Sequence, residues 1–201
     1  MIEALIFDLG KVIIPFDLAR GYAALSPYCP YPPEEIPQRI ASTDLVPRFE
    51  VGQLSPEGFA QQLSALLGLG VDYARFRELW SSIFLPQPLI PEQLLEGLRR
   101  RYRMLVLSNT DAIHFPMVWE RYPLLRHFDD YILSYQVGAT KPAARIYEAA
   151  VARAGCPAGE CLFIDDIPLY VEAARQAGMQ ALRFESAAQL ERELKARGLE
   201  W

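Results

Sequence analysis

Near its N-terminus the chain reads Ala4-Leu5-Ile6-Phe7-Asp8-Leu9-Gly10-Lys11. The first four of these residues are apolar, and an aspartate followed by a glycine ends the run. A short apolar run that stops at a turn is typical of a central strand in a parallel sheet. The end of such a strand lies at the edge where α/β proteins bind ligands. Asp8 is therefore the first candidate functional residue.

Further apolar runs of the same kind recur along the chain, with segments of helical periodicity between and after them. The runs span 104–107, 131–133, 162–164 and 181–184, and the helical segments span 91–98, 143–151, 171–177 and 187–194. Strand and helix alternate in this way in an open, doubly wound parallel sheet. We therefore predict an α/β fold.

One long region interrupts this alternation. Residues 16–88 contain no clear strand, but they contain helical patches at 56–63 and 73–80. We predict a small helical cap, inserted after the first strand and placed above the carboxyl ends of the strands. The predicted domains are a core of residues 1–15 and 89–201 and a cap of residues 16–88.

Composition excludes several classes of protein. The chain has 201 residues, of which 51% are hydrophobic, so it is not a disordered chain. Its 20 basic and 25 acidic residues give a net charge of 20 − 25 = −5, which argues against a nucleic-acid partner held by bulk charge. There is no membrane-length apolar run and no basic leader, and the three cysteines have no metal-type spacing. We expect a cytoplasmic protein with reduced thiols and no membrane partner, as a monomer or a dimer.

Polar residues follow the apolar runs at the predicted sheet edge. They are Asp8, the stretch Ser108-Asn109-Thr110, Lys141 and the pair Asp165-Asp166. Three carboxylates and one ammonium group leave a local charge of −2, which is costly in a crevice unless a cation compensates for it. Oxygen-only ligands suit Mg²⁺. With that cation, one carboxylate can attack phosphorus, while Ser108 and the Asn109 backbone donate to the phosphoryl oxygens.

The order of these residues resembles the haloacid dehalogenase-like hydrolase superfamily. Its motifs match the segments 5–12, 105–110, 141–142 and 162–166. The chain is most similar to a subgroup whose first motif reads Phe-Asp-Leu-Gly-Asn-Val and which includes bacterial α-glucose-1-phosphate phosphatases. Gly52-Gln53-Leu54-Ser55 and Phe59 also match that subgroup. The resemblance implies a Rossmann-like core, a helical cap, Mg²⁺ and a phosphoaspartate intermediate.

The resemblance also implies a role for individual residues. Asp8 would be the nucleophile and a metal ligand, together with the backbone carbonyl of Gly10. Asp166 would bind the metal directly, with Asp165 assisting. The residues that would hold the phosphoryl group are Ser108, Asn109 and Lys141. Lys141 would also neutralise Asp8.

Gly10 departs from the wider superfamily, whose phosphatases carry a second aspartate at this position as acid and base. Its loss favours a good leaving group, such as that of a sugar 1-phosphate. Candidate replacements are Asp17, Asp111 and His114, and His114 is also a candidate substrate-binding residue. Possible pocket walls are Tyr22, Phe49, Glu50, Trp80 and Phe84. Two further departures from the pattern are Lys11, which we expect to point to solvent, and Tyr170, which replaces an asparagine.

These residues predict a Mg²⁺-dependent phosphatase that hydrolyses a small phosphomonoester, such as a hexose 1-phosphate. One alternative is a metal-independent 2-haloacid dehalogenase, although the acidic pair Asp165-Asp166 argues against it. A phosphorylated receiver domain is disfavoured because its acidic pair follows the first strand. The remaining alternative is a catalytically impaired relative that binds a phosphorylated ligand.

Overall fold

A computed structural model describes all residues, 1–201. Five parallel strands form one sheet in the order β3-β2-β1-β4-β5. The strands are β1 (Ala4–Phe7), β2 (Arg103–Ser108), β3 (Asp130–Leu133), β4 (Cys161–Asp165) and β5 (Gln180–Arg183). Helices flank this sheet, so the predicted Rossmann-like α/β fold with a helical cap after the first strand is confirmed.

The cap contains five α-helices, α1 (Leu18–Leu25), α2 (Ile36–Ala41), α3 (Leu45–Glu50), α4 (Pro56–Leu67) and α5 (Tyr73–Trp80). Side chains cap the N-termini of three of them: Asp17 accepts from the Ala19 amide, Ser55 from Gly58 and Asp72 from Arg75. Each cap satisfies an amide that the first helical turn leaves unpaired. Two 3₁₀ turns, Ser26–Tyr28 and Ser81–Ile83, complete the segment.

The remaining helices connect the strands. They are α6 (Glu92–Arg99), α7 (His114–Arg121), α8 (Ser134–Val137), α9 (Ala144–Ala154), α10 (Pro168–Gln176) and α11 (Ala187–Ala196), with 3₁₀ turns at Pro123–His127 and Ala158–Glu160. None of the helices combines the length and the apolar character needed to cross a membrane.

Side chains that alternate along the strands build a core on each face of the sheet. Leu5 and Phe7 of β1 belong to one cluster of 27 buried residues, and Ala4 and Ile6 belong to another of 13. A third cluster of 13 buried residues lies almost wholly in the cap. The cap thus has an apolar core of its own, which holds its short helices together.

Several boundaries differ from the sequence prediction. Helix α10 begins at Pro168 rather than 171, and α9 continues to Ala154 rather than 151. Part of the Pro27–Pro33 segment, expected to be a loop, belongs to the 3₁₀ turn at Ser26–Tyr28. Helix α8 was not predicted, because four residues are too few to show a helical period. The cysteines are free thiols, of which only Cys161 is buried.

Candidate active site

Three carboxylates meet at the carboxyl edge of the sheet. Strands β1 and β4 are neighbours, with Phe7 opposite Ile164, so Asp8 follows one strand beside Asp165 at the end of the other. The Asp8 amide donates to the Ile164 carbonyl over 2.8 Å. Carboxylate oxygens of Asp8, Asp165 and Asp166 all lie within 4.8 Å of one another. Residues more than 150 positions apart are therefore brought together by parallel strand pairing.

Lys141 is the buried cation of this cluster. Its Nζ lies 2.7 Å from Asp8 Oδ1 and 2.6 Å from Asp165 Oδ2, and its side chain is 1% exposed. Burial alone would lower the pKa of Lys141, but the two carboxylates raise it above the usual value. Burial raises the pKa of Asp8, and Lys141 acts against that shift. Lys141 therefore remains charged and holds Asp8 in place.

Asn109 positions the backbone of Lys141. Its Oδ1 accepts from the Lys141 amide over 2.7 Å, and its Nδ2 donates to the Lys141 carbonyl over 3.1 Å. The side chain of Asn109 is thus committed to the protein, and its backbone amide remains the candidate donor to a ligand. The rings of Phe163 and Tyr170 lie 5.6 Å and 5.0 Å from Lys141 Nζ, which adds a cation–π contribution to the binding of this lysine.

The donor set at this edge fits a hard divalent cation. Asp8, Asp165 and Asp166 offer only oxygen, and with Lys141 included the local formal charge is 1 − 3 = −2. Asp166 is half-buried, and burial together with the charge of Asp165 raises its pKa. A bound Mg²⁺ would offset this repulsion.

Ser108 lies at the end of β2, where it is buried and lines the space beside this cluster. Ser134, at the start of α8, holds the loop that follows β2. Its Oγ accepts a hydrogen bond from the Thr110 amide over 2.9 Å and donates one to the Thr110 carbonyl over 2.8 Å. The sequence prediction missed Ser134. A lone serine after a strand carries no signal that distinguishes this role from a solvated turn.

A cavity of about 580 Å³ separates the cap from the sheet edge. Leu9, Gly10 and Ser108 line it on the core side, and Tyr22, Glu50, Trp80 and Phe84 line it on the other sides, as predicted for the last four. Phe49 was expected in this wall, but it lies in the cap core, stacked on Phe59 with ring centroids 4.1 Å apart. Helix α3 turns Phe49 inward, because adjacent helical positions face different directions.

Asp111 and His114 form a buried ion pair in the wall of the cavity. His114 Nδ1 lies 2.9 Å from Asp111 Oδ2, and Nε2 lies 3.1 Å from the Trp80 carbonyl. Both ring nitrogens face acceptors, so both donate and the ring is an imidazolium. Burial alone would lower the pKa of His114, but Asp111 raises it; in turn His114 lowers the pKa of Asp111 despite burial. The ring also stacks on Trp80 at 5.3 Å.

Asp17 and His127 lie away from the acidic cluster, whereas Lys11 lies near enough to Asp166 for its charge to act against the raised pKa of that carboxyl. Asp17 is exposed and caps α1. Lys11 is exposed, as expected, and has a left-handed φ of 58° with its Nζ over the ring of Phe16. His127 Nε2 lies 2.9 Å from Glu92 Oε1 at the surface.

The fold and this edge together define a hydrolase with a Rossmann-like core and a helical cap. Residues 2–178 match the haloacid dehalogenase-like hydrolase family, so the chain belongs to that family and is a hydrolase. D-ribitol-5-phosphate phosphatase of Bacteroides thetaiotaomicron is 28% identical over 96% of this chain and 97% of its own length. A phosphatase of Mycobacterium tuberculosis is 30% identical over 94% of this chain and 89% of its own.

Solved structures agree with these relatives. A family enzyme of Bacteroides thetaiotaomicron, in complex with magnesium and inorganic phosphate, has a TM-score of 0.81 at 25% identity and covers 92% of this chain and 96% of its own. An L-2-haloacid dehalogenase of Xanthobacter autotrophicus shares the fold, with a TM-score of 0.64 at 21% identity over 98% of this chain and 83% of its own. The relatives support a phosphatase, while membership of the Phe-Asp-Leu-Gly-Asn-Val subgroup stays a prediction.

Proposed function

We propose that this protein is a Mg²⁺-dependent phosphomonoesterase that acts on a small phosphorylated metabolite through an aspartyl phosphate at Asp8. One observation carries the proposal: Asp8 lies beside Asp165 and Asp166, is paired with buried Lys141, and directly precedes Leu9 and Gly10, which line the cavity under the cap. A carboxylate in that position can attack a phosphorus atom whose ester group occupies the cavity.

Each residue has a distinct role in this reaction. Asp8 attacks phosphorus with one carboxylate oxygen, and Lys141 holds the other oxygen at 2.7 Å and directs positive charge toward the phosphoryl group. Ser108 Oγ and the Asn109 amide donate to phosphoryl oxygens as negative charge develops on them. The aspartyl phosphate is then hydrolysed by water. His114 contributes to the wall that binds the substrate.

The residues that would hold Mg²⁺ are Asp8, Asp165, Asp166 and the carbonyl of Gly10. When bound, the ion supplies Lewis-acid stabilisation of phosphoryl charge. We assign direct coordination to Asp166 and an assisting role to Asp165, because Asp165 already contacts Lys141 and accepts from the Ile167 amide over 2.8 Å.

A sugar or alditol phosphate is the substrate class that we favour. A cavity of about 580 Å³ has room for a small metabolite. Position 10 is a glycine, which favours a substrate with a good leaving group, as in a hexose 1-phosphate. The relative from Bacteroides thetaiotaomicron is a D-ribitol-5-phosphate phosphatase, so alditol 5-phosphates belong in the same panel.

The test is phosphate release from sugar and alditol phosphates with Mg²⁺, repeated in EDTA and with Asp8→Asn. We expect release from the wild type with Mg²⁺, and a fall to the uncatalysed background in EDTA and in the variant. Halide release from 2-haloacids without metal would replace the proposal with a dehalogenase. Thermal stabilisation by sugar phosphates without turnover would replace it with a binding protein.

A further inference from the structure

We infer that the carboxyl group of Glu50, at the end of cap helix α3, gives the leaving oxygen its proton and later takes one from the attacking water. The inference rests on the proposed function and assigns the acid and base that position 10 lacks. Residue 10 is a glycine and supplies no acid, and a Cβ added there would lie 2.7 Å from the ring of Phe16. The proton must therefore come from another part of the cavity.

The other titratable candidates are already committed to protein partners. Asp111 accepts from the amides of Ile113 and His114 over 2.8 Å and 2.7 Å and pairs with the His114 ring. His114 donates from both ring nitrogens, so it has no free site for exchanging a proton. Asp17 caps α1 from the surface. None of these three can transfer a proton without first breaking a contact.

Glu50 differs from all of them. Its side chain lines the same cavity as Gly10 and Ser108, so it borders the space that the ester group would occupy. The carboxyl group of Glu50 makes no hydrogen bond to the protein and belongs to no ion pair. A largely buried carboxyl group with no protein partner, facing a cavity, is available to a ligand.

The position of Glu50 is fixed from both sides. Phe49, the preceding residue, is buried in the cap core and stacks on Phe59. Gly52, two residues later, packs against α8 of the core so closely that an added Cβ would lie 2.2 Å from the Tyr135 carbonyl oxygen. The end of α3 is therefore anchored to the cap and to the core, which holds Glu50 at the junction between them.

Charges around Glu50 suit a group that exchanges protons near neutrality. Burial and, to a smaller extent, the charge of Asp111 raise the pKa of Glu50 to about 7, although the charge of His114 acts against this shift. The other titratable groups near it are the hydroxyls of Tyr22, which shares the cavity wall, and Tyr170 on α10. Both are phenols and stay neutral in this range.

The proposed steps balance. As the Asp8 oxygen forms its bond to phosphorus, the bond from phosphorus to the ester oxygen breaks, and that oxygen takes the proton of Glu50 and leaves as an alcohol. The Glu50 carboxylate then removes a proton from water. The resulting hydroxide bonds to phosphorus, the bond from phosphorus to Asp8 breaks, and phosphate, the Asp8 carboxylate and protonated Glu50 result.

The test compares Glu50→Gln with Glu34→Gln, which changes an exposed cap glutamate. Two substrates are used: p-nitrophenyl phosphate, whose leaving group needs no proton, and the best aliphatic phosphate from the panel. For Glu50→Gln we expect kcat on the aliphatic substrate to fall about 100- to 10,000-fold. On p-nitrophenyl phosphate we expect a burst of one product per enzyme followed by slow turnover, because water activation still needs the base.

The pH profile gives a second readout. The wild-type kcat/KM for the aliphatic substrate should decline as pH rises above about 7, where Glu50 loses its proton. Glu50→Gln should lose this limb, Glu50→Asp should keep it at a lower rate, and Glu34→Gln should match the wild type. Equal melting temperatures exclude misfolding of Glu50→Gln.

Three results would overturn the role of Glu50: wild-type kinetics in Glu50→Gln, an increase in KM alone, or an equal loss on both substrates without a burst. Phosphate release that survives Asp8→Asn contradicts the proposed function itself. The two failures are therefore distinguishable.

Discussion

At the scale of single residues, the site depends on one buried lysine. Lys141 contacts two carboxylates, and the side-chain amide of Asn109 forms hydrogen bonds with both the N–H and the carbonyl of the Lys141 backbone. The sequence predicted that Lys141 and the acids would meet, because all of them follow apolar strands. It did not predict that the Asn109 side chain is committed to Lys141, since nothing in a sequence distinguishes an amide that faces the backbone from one that faces a ligand.

Replacing Lys141 with methionine should destabilise the protein and abolish activity. The variant leaves Asp8 and Asp165 buried without their cation, which costs about 3–5 kcal/mol. Urea unfolding in EDTA measures that cost, and added Mg²⁺ should recover part of it. Lys195→Met, which changes an exposed lysine, should stay within about 0.5 kcal/mol of the wild type. A methionine variant as stable as the wild type in EDTA would contradict this role of Lys141.

The Asp111–His114 pair makes stability depend on pH in a defined direction. His114 has a raised pKa, so its contribution is complete below its unfolded value of about 6.5 and is lost as pH rises through the folded pKa. Asp111 has a lowered pKa, so its contribution is present above its unfolded value of about 3.9 and is lost as pH falls through the folded pKa. The pair therefore stabilises the folded protein most strongly between about pH 3.9 and about pH 6.5.

His114→Gln should thus cost more stability at about pH 6 than at about pH 9. We expect a loss of about 1–3 kcal/mol at the lower pH, because a buried carboxylate loses a charged partner. The free energy of unfolding in urea at the two pH values measures it. His127→Gln is the matched control, since His127 pairs with an exposed glutamate. An equal cost for His114→Gln at both pH values would refute the assignment of an ion pair.

At the scale of secondary-structure elements, the junction between α3 and α8 decides how the cap meets the core. Helix α3 ends at Glu50, and Gly52 follows with a left-handed φ of 72° against the Tyr135 carbonyl. The strands were predictable because continuous apolar runs identify buried parallel strands. The short helices α3 and α8 were not, because six and four residues carry too little periodicity.

Gly52→Ala should be more damaging than Gly155→Ala, although both glycines have nearly the same φ, 72° and 73°. An alanine at either position has an unfavourable left-handed backbone, which costs about 1 kcal/mol. A Cβ at position 155 meets open space, whereas one at position 52 meets a backbone oxygen at 2.2 Å.

We expect Gly52→Ala to lower the free energy of unfolding in urea by about 1–3 kcal/mol more than Gly155→Ala does, which is the usual cost of local backbone strain. It should also lower kcat, because the displaced end of α3 carries Glu50. Equal stability losses in the two variants would show that the contact between Gly52 and α8 does not restrain the cap.

At the scale of the whole molecule, parallel pairing brings four distant segments to one edge, and the cap covers a cavity beside them. The order of strands and acids in the sequence was enough to predict this convergence. The boundaries between core and cap, between residues 15 and 16 and between residues 88 and 89, remain a prediction. The availability of Glu50 was not predictable, because it depends on which side chains lack partners once the cap and the core are packed together.

Trapping the phosphorylated enzyme shows whether Asp8 accepts the phosphoryl group. Enzyme mixed with Mg²⁺ and its best substrate is quenched in acid, digested and examined by mass spectrometry. We predict a phosphoryl adduct on Asp8 in the wild type and none in Asp8→Asn; with p-nitrophenyl phosphate the adduct should be more abundant in Glu50→Gln. Rapid phosphate release with no adduct in either protein, or an adduct on another residue, would show that Asp8 is not the nucleophile.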